Sequence, residues 1–189
     1  MKLVLGSASL PRRDILQQMG YTFSIARSNL DEKAIRDQDP CKLVLKLALA
    51  KAEALKDKVD EDSILITSDI LMTQQGKVLE KPSSLEEAYQ FIKGYSEGFA
   101  CAFAAVVVTD LKSGRQSSGI EKATAYFQRI PDVVVESLVK RDFVLDCSGA
   151  IQIEDPILKP YIIKIDGEIE TFMGLPRLLT EKLIKEVKS

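Results

Sequence analysis

The residues of this chain best suited to chemistry are cations and carboxylates next to apolar runs. Ser7, Arg12 and Arg13 follow the apolar run 3–6 and open a helical pattern. A helix N-terminus carries unpaired N–H groups and the positive end of the helix dipole, so two arginines there predict a bound anion, most simply a phosphate. The alternative is a surface turn with two solvated arginines.

Two further ionisable residues interrupt apolar patterns. Lys51 falls inside the apolar arc of a helix predicted over about residues 39–57. It either extends outward to solvent or enters a cleft and meets an anion. Asp69 lies between the apolar runs 63–68 and 70–73. It either accepts backbone N–H bonds at a strand bend or lies at a cleft edge beside a cation.

A hairpin turn predicted at residues 74–77 leads the chain back to Lys81. If this hairpin is in register, Lys81 becomes a near neighbour of Asp69.

The chain contains no histidine, which excludes every mechanism built on an imidazole base. Acid–base chemistry must therefore come from carboxylates, lysines or a metal-bound water.

Composition limits the classes of partner. The 189 residues are 46% hydrophobic and 29% charged, which is typical of a globular protein with a substantial core. We expect one domain, residues 1–189, with two lobes around a cleft. The net charge of -2 argues against a nucleic-acid partner, because such partners require a broad basic surface.

The longest apolar run, residues 99–109, has about half the length that a membrane-spanning helix needs and predicts a buried strand. The chain enters a strand within two residues of Met1, which leaves no room for a signal peptide, so we expect a cytoplasmic protein and no membrane partner. Cys41, Cys101 and Cys147 are widely spaced and are interpreted as reduced structural thiols.

The order of predicted elements departs from strict alternation of strands and helices. Strands are predicted over 3–6, 21–26, 63–73, 78–82, 99–111, 116–129 and 161–165, and helices after Ser9, Asp39, Ser84, Pro131 and Pro176. This order predicts an α/β fold with a mixed rather than purely parallel sheet.

The chain resembles the Maf-like nucleotide pyrophosphatases, the Maf branch of the fold shared with inosine triphosphatases, and is most similar to the plant and eukaryotic type. The resemblance covers nearly the whole length and implies a mixed, strongly twisted central sheet flanked by helices. The motifs that carry it are Ser7 through Arg13, Asp31-Glu32, Leu49 through Ala52, Thr67-Ser68-Asp69, Glu80-Lys81-Pro82, Leu145-Asp146 with Gly149-Ala150, and Gly174-Leu175-Pro176.

This resemblance implies hydrolysis of a nucleoside triphosphate between its α- and β-phosphates, with Mg²⁺ or Mn²⁺ as cofactor and a homodimer as the assembly. Asp69 matches the proton acceptor of the family. Glu32 and Asp69 are expected to ligate the metal or to orient the attacking water, because Mg²⁺ prefers carboxylate and phosphate oxygens with retained waters. The residues expected to line the catalytic cleft are Ser7, Arg12, Arg13, Glu32, Lys51, Asp69 and Lys81. Arg12, Lys51 and Lys81 are expected to bind the phosphates, with Arg13 as a fourth cation and Ser7 as a further substrate contact.

Three positions correspond to residues associated with base choice in the family, namely Pro11, Ile70 and Glu154. A carboxylate accepts from the ring N–H and the exocyclic amine of guanine, whereas thymine offers one N–H between two acceptors. Glu154 therefore favours 7-methyl-GTP or another guanine-type triphosphate, with dTTP and UTP second. Pro11 and Ile70 fit neither branch of the family.

Other departures from the family pattern are Leu10, Glu97 and Cys147; Cys147 stands where a lysine is common. None of them removes a catalytic candidate.

The alternative function is a non-catalytic nucleotide-binding regulator of the septum-inhibition type. Such a protein would keep the cleft without turnover.

Overall fold

The computed structural model of the chain describes residues 2–189, which form seven strands and five α-helices. The strands are β1 (Lys2–Leu5), β2 (Phe23–Ile25), β3 (Ser63–Gln74), β4 (Lys77–Leu79), β5 (Phe99–Asp110), β6 (Gln116–Phe127) and β7 (Ile162–Asp166). The helices are α1 (Leu10–Gln18), α2 (Pro40–Leu55), α3 (Leu85–Tyr95), α4 (Asp132–Val139) and α5 (Arg177–Lys188).

All seven strands belong to one sheet with the order β2-β1-β3-β5-β6-β7, and β4 pairs with the far end of β3. Strand β1 runs parallel to β2 and β3. The remaining pairs are antiparallel. The predicted mixed α/β sheet is thus confirmed.

Helices cover both faces of the sheet near β1. Successive side chains of a strand point to opposite faces, and those of β3 divide accordingly. Ile66 packs in one cluster with Ile15 of α1 and Leu183 of α5. Leu71 packs in another with Leu47 of α2. Helices α1 and α2 therefore lie on opposite faces and approach β3 from both sides.

A separate core fills the far end of the sheet. Met72 from β3 packs there with Ile92 of α3 and Leu138 of α4. The long strands β3, β5 and β6 run through both regions, so the two predicted lobes share one continuous sheet.

The edge of β3 that faces β1 is left open in its middle. Strand β1 pairs with β3 as far as Ile66, and β4 begins its pairing at Met72. Within residues 2–189, residues 67–71 of β3 have a strand partner only on the β5 side. We call this opening the fork. After β1 the chain adds β2 on one side of β1 and then β3 on the other, so β1 marks a topological switch point of the sheet. Ligand crevices form at such points, outside the carboxyl ends of the strands.

The hairpin at residues 74–77 forms with the predicted turn, but its returning strand is shorter than predicted. Strand β4 ends at Leu79 opposite Met72. The carbonyl of Glu80 then accepts a hydrogen bond from the backbone N–H of Gly149, at 3.2 Å. Because the chain leaves β3 at this point, the expected pairing of Lys81 with Asp69 does not form, and Lys81 is exposed.

The structure also tests the expectation of a buried strand at residues 99–109. Strand β5 occupies this run in the middle of the sheet, and most of its side chains are buried. Across residues 2–189, no helix combines the length and the apolar character needed to cross a bilayer.

Candidate active site

The fork holds a compact cluster of two cations and two carboxylates. Arg12 comes from α1 and Lys51 from α2, while Asp69 lies on β3. Glu32 begins a single 3-10 turn between β2 and α2. Three of these side chains are buried and Glu32 is half exposed. The cluster therefore opens to solvent on the Glu32 side.

Asp69 is fixed in the middle of a continuous strand. Its backbone is opposite Ala105 of β5, and its side chain points towards α2. Two residues earlier, the hydroxyl of Thr67 donates to the carbonyl of Ala48, at 2.8 Å, which holds α2 against this part of β3. Asp69 thus lies beside cations in the sheet rather than at a strand bend.

Lys51 enters the cluster instead of extending to solvent. Its ammonium nitrogen lies 3.1 Å from Oδ1 of Asp69 and 3.1 Å from Oε1 of Glu32. Helix α2 begins at the predicted cap, where Asp39 accepts from the N–H of Cys41. This start places Lys51 on the face that packs against β3.

Arg12 reaches the fork from the first turn of α1. Its Nη1 donates to the carbonyl of Ser68 at 2.8 Å and to the hydroxyl of Ser7 at 3.4 Å. Its Nη2 lies 3.8 Å from Oδ1 of Asp69. Burial lowers the pKa of Arg12, and the negative charges of Asp69 and Glu32 oppose this effect. The guanidinium thus remains a cation, as the pKa of arginine lies far above neutral pH.

Both cations contact the same oxygen of Asp69. The ion pairs of Lys51 and Arg12 end on Oδ1. Among residues 2–189, the hydrogen bond to the Asp69 side chain ends on Oδ1, and none ends on Oδ2. One carboxylate oxygen is therefore held in place while the other is available to a water or a proton.

The donor set fits a divalent cation such as Mg²⁺. Glu32 and Asp69 each place a carboxylate oxygen 3.1 Å from the ammonium nitrogen of Lys51, so the two carboxylates face a common point that attracts a cation. The described residues contain no group of three or more histidine, cysteine or acidic side chains that could hold a metal alone. Mg²⁺ commonly uses one or two carboxylates and takes its other oxygens from substrate phosphates and waters.

The structure does not bring every predicted residue into the cluster. Arg13 is half buried beside Arg12, and neither Arg13 nor Lys81 forms an ion pair within residues 2–189. Lys81 lies close enough to Cys147 to lower the pKa of that thiol, although burial has the larger effect and raises it. Ser7 also accepts from the N–H of Ser9, which shapes the turn before α1.

The three base-choice positions take no part in the ion pairs of the cluster, although Pro11 and Ile70 directly adjoin Arg12 and Asp69 in the chain. Pro11 is half buried in the first turn of α1, and Ile70 packs against the core of the far lobe. Glu154 is exposed, and its charge raises the pKa of Cys147. In the part of the chain that the structure describes, no hydrogen bond or ion pair joins Glu154 to the other two positions.

Two contributors to this site are not evident from residue types. The backbone carbonyl of Ser68 accepts a hydrogen bond from the Arg12 guanidinium. A backbone acceptor cannot be predicted from a pattern of side chains. Gly174 approaches the same guanidinium so closely that a Cβ there would lie 2.7 Å from Nε of Arg12. Gly174 entered the sequence analysis only as part of the motif Gly174-Leu175-Pro176, and its contact with Arg12 could not be predicted from the sequence.

Comparison with known proteins places this chain in a family. The family model described as Maf-like protein matches residues 2–187. The chain belongs to the Maf-like protein family. Its relatives include a protein of Dictyostelium discoideum named 7-methyl-GTP pyrophosphatase, which is 36% identical over 98% of this chain and 96% of the relative.

Other Maf-like relatives carry a different substrate in their names. Proteins named dTTP/UTP pyrophosphatase are 30% identical in Clostridium beijerinckii, over the full length of both chains, and 27% identical in Alkaliphilus oremlandii, over 93% of this chain and 90% of the relative. A solved nucleoside-triphosphatase (dITP/XTP pyrophosphatase) of Mycobacterium abscessus is similar over 69% of this chain and 75% of that chain, with 11% identity and a TM-score of 0.39.

Proposed function

We propose that this Maf-like protein is a nucleoside triphosphate pyrophosphatase that releases pyrophosphate and a nucleoside monophosphate. The observation that carries the proposal is the arrangement around Asp69, in which the shortest contacts of Lys51 and Arg12 end on Oδ1 and no described residue donates a hydrogen bond to Oδ2. A general base needs an oxygen that can receive a proton and a fixed orientation towards the attacking water.

In this proposal Oδ2 of Asp69 accepts the proton of a water that attacks the α-phosphorus. The bond between the α-phosphorus and the bridging oxygen breaks, and pyrophosphate leaves with that oxygen. Arg12 and Lys51 bind the phosphates and stabilise the negative charge that develops on them. Ser7 and the N-terminal turn of α1 add hydrogen-bond donors at the same wall of the fork.

The charges of the cluster balance, because Arg12 and Lys51 offset Asp69 and Glu32. A triphosphate brings several more negative charges, so additional cations are required. We assign this role to Arg13, to Lys81 and to a divalent metal held by Glu32 and Asp69, which requires the Lys51 ammonium to turn from these two carboxylates towards the phosphates. When bound, Mg²⁺ or Mn²⁺ would neutralise phosphate charge and act as a Lewis acid.

We propose 7-methyl-GTP or another guanine-type triphosphate as the preferred substrate, with dTTP and UTP second. Two observations support this order. The Dictyostelium discoideum relative named 7-methyl-GTP pyrophosphatase shares 36% identity with the chain, against 27% and 30% for the two relatives named dTTP/UTP pyrophosphatase. Glu154 is exposed, and a carboxylate there complements the donor edge of guanine.

The test is a pyrophosphate-release assay over 7-methyl-GTP, GTP, dTTP and UTP, each with Mg²⁺ and with Mn²⁺. We expect Asp69→Asn to lower kcat by about a hundredfold to ten-thousandfold, as for loss of a general base. Asp62→Asn is the matched control, because Asp62 is exposed and paired with Lys112. Faster turnover of dTTP and UTP than of 7-methyl-GTP would overturn the base preference.

The same assay separates the enzyme from a non-catalytic nucleotide-binding regulator. A regulator would bind triphosphates, as measured by calorimetry, and release no pyrophosphate with any of them. Normal pyrophosphate release by a folded Asp69→Asn variant would instead refute the role of Asp69 as proton acceptor.

A further inference from the structure

Gly174 lies directly against the guanidinium of Arg12. It follows the 3-10 turn Ile169–Thr171 and precedes α5, with a φ of +83°. A Cβ built on Gly174 would lie 2.7 Å from Nε and 2.8 Å from Nη2 of Arg12. Both distances are shorter than any ordinary carbon–nitrogen contact, so even a methyl group at position 174 would displace the guanidinium.

The guanidinium is enclosed on its other sides as well. Nη1 is held by the Ser68 carbonyl at 2.8 Å, and Asp69 lies 3.8 Å from Nη2. Arg12 is only 7% exposed, and its Nε has no hydrogen-bond partner among the described residues. A displaced guanidinium must therefore give up the Ser68 carbonyl or move into the fork.

The turn that carries Gly174 is itself fixed. The N–H of Gly174 donates to the carbonyl of Thr171, and the N–H of Leu175 donates to that of Glu170. Leu175 is fully buried in the core that also contains α1. At the start of α5, the guanidinium of Arg177 donates to the side chain of Gln18, at 3.1 Å, which ties this turn to α1.

We infer that Gly174 is a positioning residue for Arg12. Its missing side chain creates the space in which the guanidinium faces the Ser68 carbonyl and Asp69, and the fixed turn behind it prevents Arg12 from withdrawing. The consequence for phosphate binding rests on the role proposed above for Arg12. The positioning itself is a property of the packing and can be tested separately.

The direct test compares Gly174→Ala with Gly20→Ala. Gly20 has the same φ of +83°, and a Cβ there would meet nothing within 4 Å. Both variants therefore place an alanine at the same left-handed φ, and only Gly174→Ala crowds Arg12. We expect the ¹⁵N side-chain resonance of Arg12 Nε, assigned by its loss in Arg12→Ala, to shift in Gly174→Ala and to stay in place in Gly20→Ala. An unshifted resonance in both variants would overturn the inference.

The kinetic test uses the triphosphate that the protein hydrolyses fastest. Gly174→Ala should raise KM about tenfold with a smaller change in kcat, as expected for a weakened charge-assisted contact, whereas Gly20→Ala should leave both unchanged. In an Arg12→Ala background, Gly174→Ala should add no further increase in KM. An equal increase in both backgrounds would refute the inference.

Two further outcomes remain decisive. If Gly174→Ala does not fold, the double variant Arg12→Ala/Gly174→Ala should recover a cooperative unfolding transition, and its failure to do so would count against the inference. If Arg12→Ala keeps the KM of the parent protein, the proposed role of Arg12 in phosphate binding is wrong. The resonance shift in Gly174→Ala then still decides whether Gly174 positions the guanidinium.

Discussion

The ammonium nitrogen of Lys51 lies 3.1 Å from Oδ1 of Asp69, and each of the two side chains is 10% exposed. Ionised groups buried to this extent are costly unless they are paired. The pair joins the one lysine in the apolar face of α2 to the one carboxylate inside β3. It therefore links the docking of a helix to the chemistry of the fork.

Removal of the lysine charge should destabilise the protein strongly. In Lys51→Met, Asp69 keeps only the longer contact with Arg12, so we expect the free energy of unfolding to fall by roughly 3 kcal/mol. Urea denaturation measures this change. Lys46→Met, which removes an exposed lysine paired with Asp37 on the same helix, should cost less than about 1 kcal/mol. Equal losses in the two variants would contradict a buried, coupled pair.

The metal site can be tested at Glu32, whose side chain is 51% exposed. Glu32→Gln should change the free energy of unfolding by less than about 1 kcal/mol. It should raise the Mg²⁺ concentration for half-maximal pyrophosphate release by roughly tenfold, because one of two carboxylate ligands is lost. Glu53→Gln serves as control, since Glu53 is exposed on α2 and paired with Lys56. An unchanged Mg²⁺ dependence would exclude Glu32 as a ligand.

Base choice should depend on Glu154. Glu154→Gln replaces a carboxylate that only accepts with an amide that both donates and accepts. We expect the ratio of kcat/KM for 7-methyl-GTP to that for UTP to fall by about tenfold, which corresponds to roughly 1.4 kcal/mol. Glu136→Gln on the exposed face of α4 should leave the ratio unchanged. If both variants keep the parent ratio, Glu154 does not contact the base.

Tyr95 should make stability sensitive to alkaline pH. Its hydroxyl donates to the carbonyl of Gly149 at 2.8 Å, and burial raises its pKa above the ordinary value for tyrosine. The fold therefore favours the neutral phenol. Its contribution to stability is complete below about pH 10, where the unfolded side chain ionises, and declines as the pH rises further.

We expect Tyr95→Phe to lower the free energy of unfolding by about 1 kcal/mol at pH 8, because one buried hydrogen bond is lost. By about pH 11 the difference between the parent protein and Tyr95→Phe should disappear, since ionisation in the unfolded state lowers the parent's stability by a similar amount. Urea denaturation at both pH values measures it, and all other ionisable groups are common to the two proteins. A constant difference would show that Tyr95 ionises equally well when folded.

Local signals in the sequence predicted much of the fold. Asp39 and Pro40 mark the start of α2, and the N–H groups of Cys41 and Lys42 both point at the Asp39 carboxylate. The hairpin turn at Gln75-Gly76 has positive φ at both positions, which suits a tight two-residue connection. These features depend on neighbours within a few residues, so the sequence pattern contains them.

Contacts between distant segments were harder to predict. Lys81 does not pair with Asp69, since β4 ends at Leu79 and the carbonyl of Glu80 accepts instead from the backbone N–H of Gly149, far along the chain. Arg12 was predicted as a phosphate ligand, but its hold on the Ser68 carbonyl and its contact with Gly174 join residues more than fifty positions apart. Such packing follows from the topology of the sheet rather than from periodicity.

The ladder between β3 and β5 limits how the fork can move. Paired residues run without interruption from Ile64 and Asp110 to Thr73 and Cys101, past Asp69 and through both lobes. A hinge between the lobes would have to break this ladder. In the proposed reaction, nucleotide entry and pyrophosphate exit would therefore leave β3 in place, and the carboxylate of Asp69 would stay fixed while the substrate moves past it.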